Sequence, residues 1–230
     1  MQDFTCFIFD LNTAILDESF GLAEREHYRL DNIYTVLEKS LVPIKFNLLK
    51  KKYEEMKAFS EQLKKGKGIT MGVFQKVEIL MNLLNVSDIV VFKKIYDSYI
   101  DAELQINPKL RKNVLRALEL LKEREKKIGL IATEPQLPGD TIRFLLKQMG
   151  IYHFFDEMVF SCDINFPKGK ALLFGAILEK MSVEPSSAIY IGSVNTLDYE
   201  YAKKTGFILH MLKPDDEDIY ELVVKNSGGF

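Results

Sequence analysis

Phe4-Thr5-Cys6-Phe7-Ile8-Phe9-Asp10-Leu11-Asn12-Thr13-Ala14 is the stretch whose reading decides the fold. Apart from Thr5, residues 4–9 are apolar, run without alternation and stop at a carboxylate. A run of that kind suits a strand buried on both faces, as in a parallel sheet. Four more runs share the character: residues 127–132 (KIGLIA), 157–161 (EMVFS), 188–192 (AIYIG) and 207–212. Helical patterns lie between the later runs. Residues 107–125 carry Leu110, Val114, Leu115, Leu118 and Leu121 near helical spacing, and 141–149, 171–181 and 196–205 are shorter candidates. Strands alternating with helices predict an α/β fold, a Rossmann-like doubly wound parallel sheet.

Residues 17–104 break the alternation. Residues 22–41, 44–65, 70–84 and 88–104 read as amphipathic helices, punctuated by Gly66-Lys67-Gly68 and Asn85-Val86-Ser87. The expected organisation is therefore an α/β core from residues 1–16 and 105–230, with an inserted helical domain over 17–104. Lys50 to Lys52 and Lys64 to Lys67 read as solvated faces and turns. Lys67-Gly68-Ile69-Thr70 lacks the glycine spacing and the preceding strand of a phosphate loop. The tail from Asn226 to Phe230 is expected to fray.

Composition narrows the function classes. The 230 residues are 47% hydrophobic and 28% charged, which excludes wholesale disorder. Lys and Arg total 31 against 33 Asp and Glu, a net charge of −2. That balance gives no electrostatic reason to expect nucleic acid or an anionic membrane as partner. No apolar run approaches the roughly 20 residues of a membrane span. The opening Met1-Gln2-Asp3-Phe4 lacks the basic-then-apolar pattern of a signal peptide, so a cytoplasmic protein is expected. The two cysteines, Cys6 and Cys162, are expected to be buried free thiols. Two Cys and three scattered His are too few for an obvious zinc site.

Open parallel sheets bind ligands beyond the carboxyl ends of their strands. The first run ends in Asp10, the second in Thr133, the third region in Asp163 and the fourth in Gly192-Ser193. Lys168 precedes a helix, and Asp198 follows the fourth run by six residues. One rim would thus carry carboxylates, hydroxyls and an ammonium, groups suited to covalent catalysis or to an anionic ligand. Singly, such residues also serve as helix caps.

These segments together resemble the haloacid dehalogenase superfamily of aspartate-nucleophile hydrolases. Its first motif, a strand followed by Asp-x-Asp, looks like Phe9-Asp10-Leu11-Asn12-Thr13-Ala14. Its second, a strand ending in Ser or Thr, looks like Leu130-Ile131-Ala132-Thr133. Its third, a lysine with an aromatic residue six positions on, fits Lys168 and Phe174. Its fourth looks like Gly192-Ser193-Val194-Asn195-Thr196-Leu197-Asp198. The resemblance covers residues 1–16 and about 105–212, and the helical insert is similar to the family's cap. It implies Asp10 as nucleophile, Thr133 as donor to the bound anion and Lys168 as neutralising cation. It further implies Thr133, Glu134, Ser193 and Asn195 as substrate contacts. Mg²⁺ would be held by Asp10, Asn12 through its carbonyl, and Asp198. A small anionic substrate, most simply a phosphorylated metabolite, follows from the same resemblance.

The departures carry information. Phosphatase members place a general acid where Asn12 stands, and an amide has no proton to give at neutral pH. Loss of a general acid costs about 10²–10⁴ in rate. They place a carboxylate Mg²⁺ ligand where Ser193 stands, so the metal site is expected to be weak. At both positions the chain is similar to the dehalogenases proper, whose halide leaves unprotonated and whose site needs no Mg²⁺. Glu134 opposes that alternative, because a carboxylate there repels halide and substrate carboxylate. So does the stretch about thirty residues beyond Asp10, which offers Lys39 and Lys45 but no arginine. A third reading is a fold descendant that binds without catalysis. Arg25 and Arg29 are expected on a solvated helix face. His27 and His210 lack an identifiable partner in the sequence, and His153 reads as a packing residue.

Overall fold

A computed structural model of the chain describes residues 4–17, 20–67, 71–132, 137–163, 170–193, 196–212 and 218–228. The first run forms strand β1 (Cys6–Asp10), with every residue buried. A five-residue π-helical turn follows over Leu11–Ile15. Strand β2 (Leu16–Asp17) leads into helices α1 (Leu22–Lys39), α2 (Phe46–Lys67), α3 (Val73–Leu83) and α4 (Ile89–Gln105). The chain returns through β3 (Lys109–Leu110), α5 (Val114–Glu123), β4 (Lys127–Ala132) and α6 (Gly139–Gln148). It ends with β5 (Glu157–Phe160), α7 (Lys170–Met181), β6 (Ala188–Ser193), α8 (Thr196–Thr205), β7 (Ile208–Leu212) and α9 (Ile219–Asn226).

The sheet order is β5-β4-β1-β6-β7, and every pairing is parallel. This is the doubly wound α/β arrangement that the alternation predicts. Successive side chains on a strand face opposite ways. Cys6 and Ile8 of β1 face α7, where Leu173, Phe174, Ile177, Leu178 and Met181 join Ile131, Val159 and Tyr190 in one apolar cluster. Gly129 is the β4 partner of Ile8, and the packing there leaves no room for a side chain. A Cβ at Gly129 would fall 2.6 Å from the Ile8 Cδ1 and 2.8 Å from the Met181 Sδ. Helix α5 packs on β4 and against α9.

Two compact units emerge: residues 1–20, 109–135 and 142–230 form one, and residues 21–108 with 136–141 form the other. The second is helical. Leu30, Ile33, Leu37, Leu49, Tyr53, Val77, Leu80 and Ile95 build its core from α1 to α4. Asp88 caps α4 by accepting from the Val90 and Val91 N–H groups at 2.7 and 3.1 Å. No helix of the described residues is long and apolar enough to cross a membrane.

Several expectations are corrected. Residues 107–125 are not one helix, because Leu110 and Lys109 pair antiparallel with Leu16 and Asp17, and α5 begins only at Val114. Helix α9 is an element that the apolar pattern does not announce, and its end does not fray through Ser227. The Phe4 N–H donates to the Asn226 carbonyl, and Arg124 donates to Ser227 Oγ and to the Gly228 carbonyl. Arg25 and Arg29 do not lie on a solvated face; they are only 4% and 7% exposed. Both pair with Glu103 of α4, at 3.2 and 2.7 Å, and Arg29 also donates to the Tyr53 hydroxyl and stacks on Tyr99. Burial and the nearby Arg29 guanidinium pull Lys76 down to about 8.

His27 has a carboxylate partner after all, Asp31, at 3.3 Å on an exposed helix face. His153 is exposed, while Phe154 and Phe155 beside it do the packing. Cys6 is buried, and that burial pushes its thiol up to about 12. Cys162, expected to be buried, is exposed.

Candidate active site

Strand order places the site. From β1 the chain builds outward to β4 and β5 on one side, then to β6 and β7 on the other. Strands diverge in connection at β1, which opens a crevice beyond its carboxyl end. Asp10 is the last residue of β1 and lies opposite Ile131 of β4. It is 6% exposed.

The backbone after Asp10 turns at once, and the carboxylate directs the turn. Asp10 has extended backbone angles and caps the π-helical turn. Its Oδ1 accepts from the Asn12 N–H at 3.1 Å, the Thr13 N–H at 2.9 Å and the Thr13 hydroxyl at 2.7 Å. Such local capping satisfies donors that a helix start leaves open. Arg111, just after β3, holds the turn from outside. Its side chain donates to the Thr13 carbonyl at 2.6 Å and its N–H to the Ile15 carbonyl at 2.9 Å.

Asp198, 3% exposed, stands in the first turn of α8, where the helix dipole favours a negative charge. Burial raises the Asp10 carboxyl to about 6, and the Asp198 carboxylate pushes the same way. The Thr13 and Asn12 donors oppose the rise. Two buried carboxylates that repel each other form a locus where a cation or a shared proton lowers the energy. Among the described residues no three Cys, His, Asp or Glu side chains converge.

Of the residues singled out in the sequence, Asp10, Asn12 and Asp198 are brought to this end of β1 and α8. Ser193 is the last residue of β6. Its side chain, and Thr133, Glu134, Lys168 and Asn195, lie outside the described residues. Phe174, six positions beyond Lys168, is fully buried against Tyr190 and Phe207. Three residues escape a reading of the sequence: Thr13, Arg111 and Tyr190. Thr13 carries a local signal, since a hydroxyl three residues after a strand-ending Asp is placed to cap it. Arg111 carries none, because its contact spans 98 residues.

A curated relative, the glyceraldehyde 3-phosphate phosphatase of Methanothermobacter thermautotrophicus, is 31% identical over 83 residues. The match covers 35% of this chain and about a third of that protein, 34% of its length. The solved HAD phosphatase of Thermococcus onnurineus superposes with a TM-score of 0.62 at 18% identity, covering 96% of each chain. The HAD-hydrolase YfnB of Bacillus subtilis, solved with magnesium, gives 0.62 at 18% identity, covering 94% of this chain and 90% of that one. At those identities the two structures share the fold. The family's sequence profile, described as haloacid dehalogenase-like hydrolase, matches residues 7–211. The chain belongs to the haloacid dehalogenase-like hydrolase family.

Proposed function

We propose that this protein hydrolyses a small phosphorylated metabolite through a covalent intermediate on Asp10. One observation carries the reading: a carboxylate buried at the sheet's switch point is held in place through one of its oxygens. Three donors hold its Oδ1. In the first step Oδ2 attacks phosphorus, and the bond from phosphorus to the leaving oxygen breaks. Water then attacks phosphorus, the P–Oδ2 bond breaks, and Asp10 returns as a carboxylate with inorganic phosphate released.

The remaining roles are part of the proposal. Thr133 donates to the bound phosphoryl group, Lys168 offsets its charge, and Glu134, Ser193 and Asn195 contact the substrate. The helical unit acts as a cap. Asp10, the Asn12 carbonyl and Asp198 fit a divalent cation, because a cation there relieves the repulsion between two buried carboxylates. With Ser193 in place of a third carboxylate, Mg²⁺ binding is weak. When bound, Mg²⁺ supplies charge neutralisation between nucleophile and phosphoryl group.

Asn12 makes the enzyme selective for substrates whose leaving group departs without protonation. Acyl and aryl phosphates are therefore better substrates than alkyl phosphates. The same residue favours a second reading, displacement of halide at carbon by Asp10. A hydrolysis screen separates them. Acetyl phosphate, p-nitrophenyl phosphate, glycerol 3-phosphate and 2-chloropropionate would be tested with Mg²⁺ and with chelator, beside Asp10→Asn. Phosphate release that Asp10→Asn abolishes supports the first reading. Chelator-resistant chloride release supports the second, and turnover surviving Asp10→Asn removes both.

A further inference from the structure

Tyr190 is fully buried on β6, yet its hydroxyl ends among polar groups. Ile8 and Tyr190 are register partners on neighbouring strands. One strand repeat further on, the same face carries Asp10 on β1 and Gly192 on β6. The tyrosine ring leans along its strand over Gly192. A Cβ at Gly192 would fall 2.5 Å from the phenol oxygen and 2.6 Å from Cζ. Only glycine leaves that space, so the bare backbone at Gly192 is what lets the hydroxyl reach the level of Asp10.

The ring itself is fixed. Phe174 packs edge-on to it at 5.1 Å between centroids, and Phe207 at 6.4 Å. The phenol oxygen has no hydrogen-bond partner in full geometry among the described residues. Burial first, and then the neighbouring Asp10 and Asp198 carboxylates, push its ionisation well above the ordinary range, which places the hydroxyl beside Asp10. A phenylalanine would fill the same apolar pocket without burying a hydroxyl. A buried hydroxyl aimed at a carboxylate and short of a full bond belongs to a site that tightens in its working state.

We infer that Tyr190 is a positioning residue for Asp10: its phenol, admitted by Gly192, anchors the carboxylate from β6 while the π-helical turn anchors Oδ1. Two anchors from different elements fix the carboxylate's rotation, which one turn alone leaves soft. Orientation of a reacting atom is worth large rate factors. The inference rests on Asp10 acting as nucleophile.

The test is Tyr190→Phe, assayed with acetyl phosphate and p-nitrophenyl phosphate beside wild type and Asp10→Asn. The expected result is kcat lowered about tenfold, KM within twofold and an unchanged or higher Tm. A merely structural role would lower Tm instead and leave kcat alone. Unchanged kcat in Tyr190→Phe overturns the inference while leaving the nucleophile reading intact. Full activity in Asp10→Asn overturns the nucleophile reading, and this inference with it. Crystal structures of wild type and Tyr190→Phe decide independently of substrate. The expected finding is a phenol oxygen hydrogen-bonded to Asp10 in wild type, and a rotated or doubly placed Asp10 carboxylate in the variant. An identical Asp10 orientation in both contradicts the inference.

Discussion

Asp10 lies buried at the carboxyl end of β1. Its carboxyl is raised to about 6 from an ordinary 3.8, chiefly by burial. Raised in the folded state, it binds its proton more tightly there than in the unfolded chain. Its contribution to stability is full below pH 4 and is lost as pH rises through 6. A shift of that size corresponds to about 3 kcal/mol. Asp10→Asn keeps an oxygen for the Asn12 and Thr13 donors and removes the buried charge. We predict that it raises Tm at pH 7.5, and that the gain vanishes at pH 4; equal Tm for both proteins at pH 7.5 would contradict this. Asn12 carries a second prediction. Asn12→Asp supplies the missing acid and should raise glycerol 3-phosphate hydrolysis about 10²-fold relative to acetyl phosphate. An unchanged ratio of the two rates in a chemistry-limited assay argues against a leaving-group role at this position.

Elements hold these residues through contacts distant in sequence. Arg111 reaches back to the turn after β1 and fixes two of its carbonyls. Arg111→Met should lower kcat several-fold and cost about 2 kcal/mol in urea unfolding, the value of a charged hydrogen bond. Glu103 of α4 answers two buried arginines of α1. Glu103→Ala removes the carboxylate that both guanidinium groups share and should cost about 3 kcal/mol, and a loss below about 1 kcal/mol would contradict a buried ion pair. The same contacts explain what the sequence makes legible. The buried strands are legible because unbroken apolar runs have few other uses. The start of α5 is not, because β3 is defined by pairing with β2 across some ninety intervening residues. Arg25 and Arg29 read as solvated because their spacing on α1 is ordinary, while Glu103 lies 74 residues beyond Arg29. Tyr190 reads as one more apolar residue in a strand, and only the neighbouring strand shows its hydroxyl level with Asp10.

The whole molecule joins a five-stranded parallel sheet, with its switch point at Asp10, to a helical unit that has its own core. Asp10 and Asp198 are legible in the sequence as strand-end and helix-start carboxylates. Their mutual influence is not, since it depends on β1 and α8 converging. In the proposed reaction the anchored, buried Asp10 takes the phosphoryl group. The most direct measurement is an acid quench during turnover of ³²P-labelled acetyl phosphate, followed by peptide mapping. Hydroxylamine-labile label is expected on the peptide bearing Asp10 and is expected to be absent from Asp10→Asn. Turnover of wild type with no label on that peptide, and undiminished in Asp10→Asn, would contradict the proposed reaction.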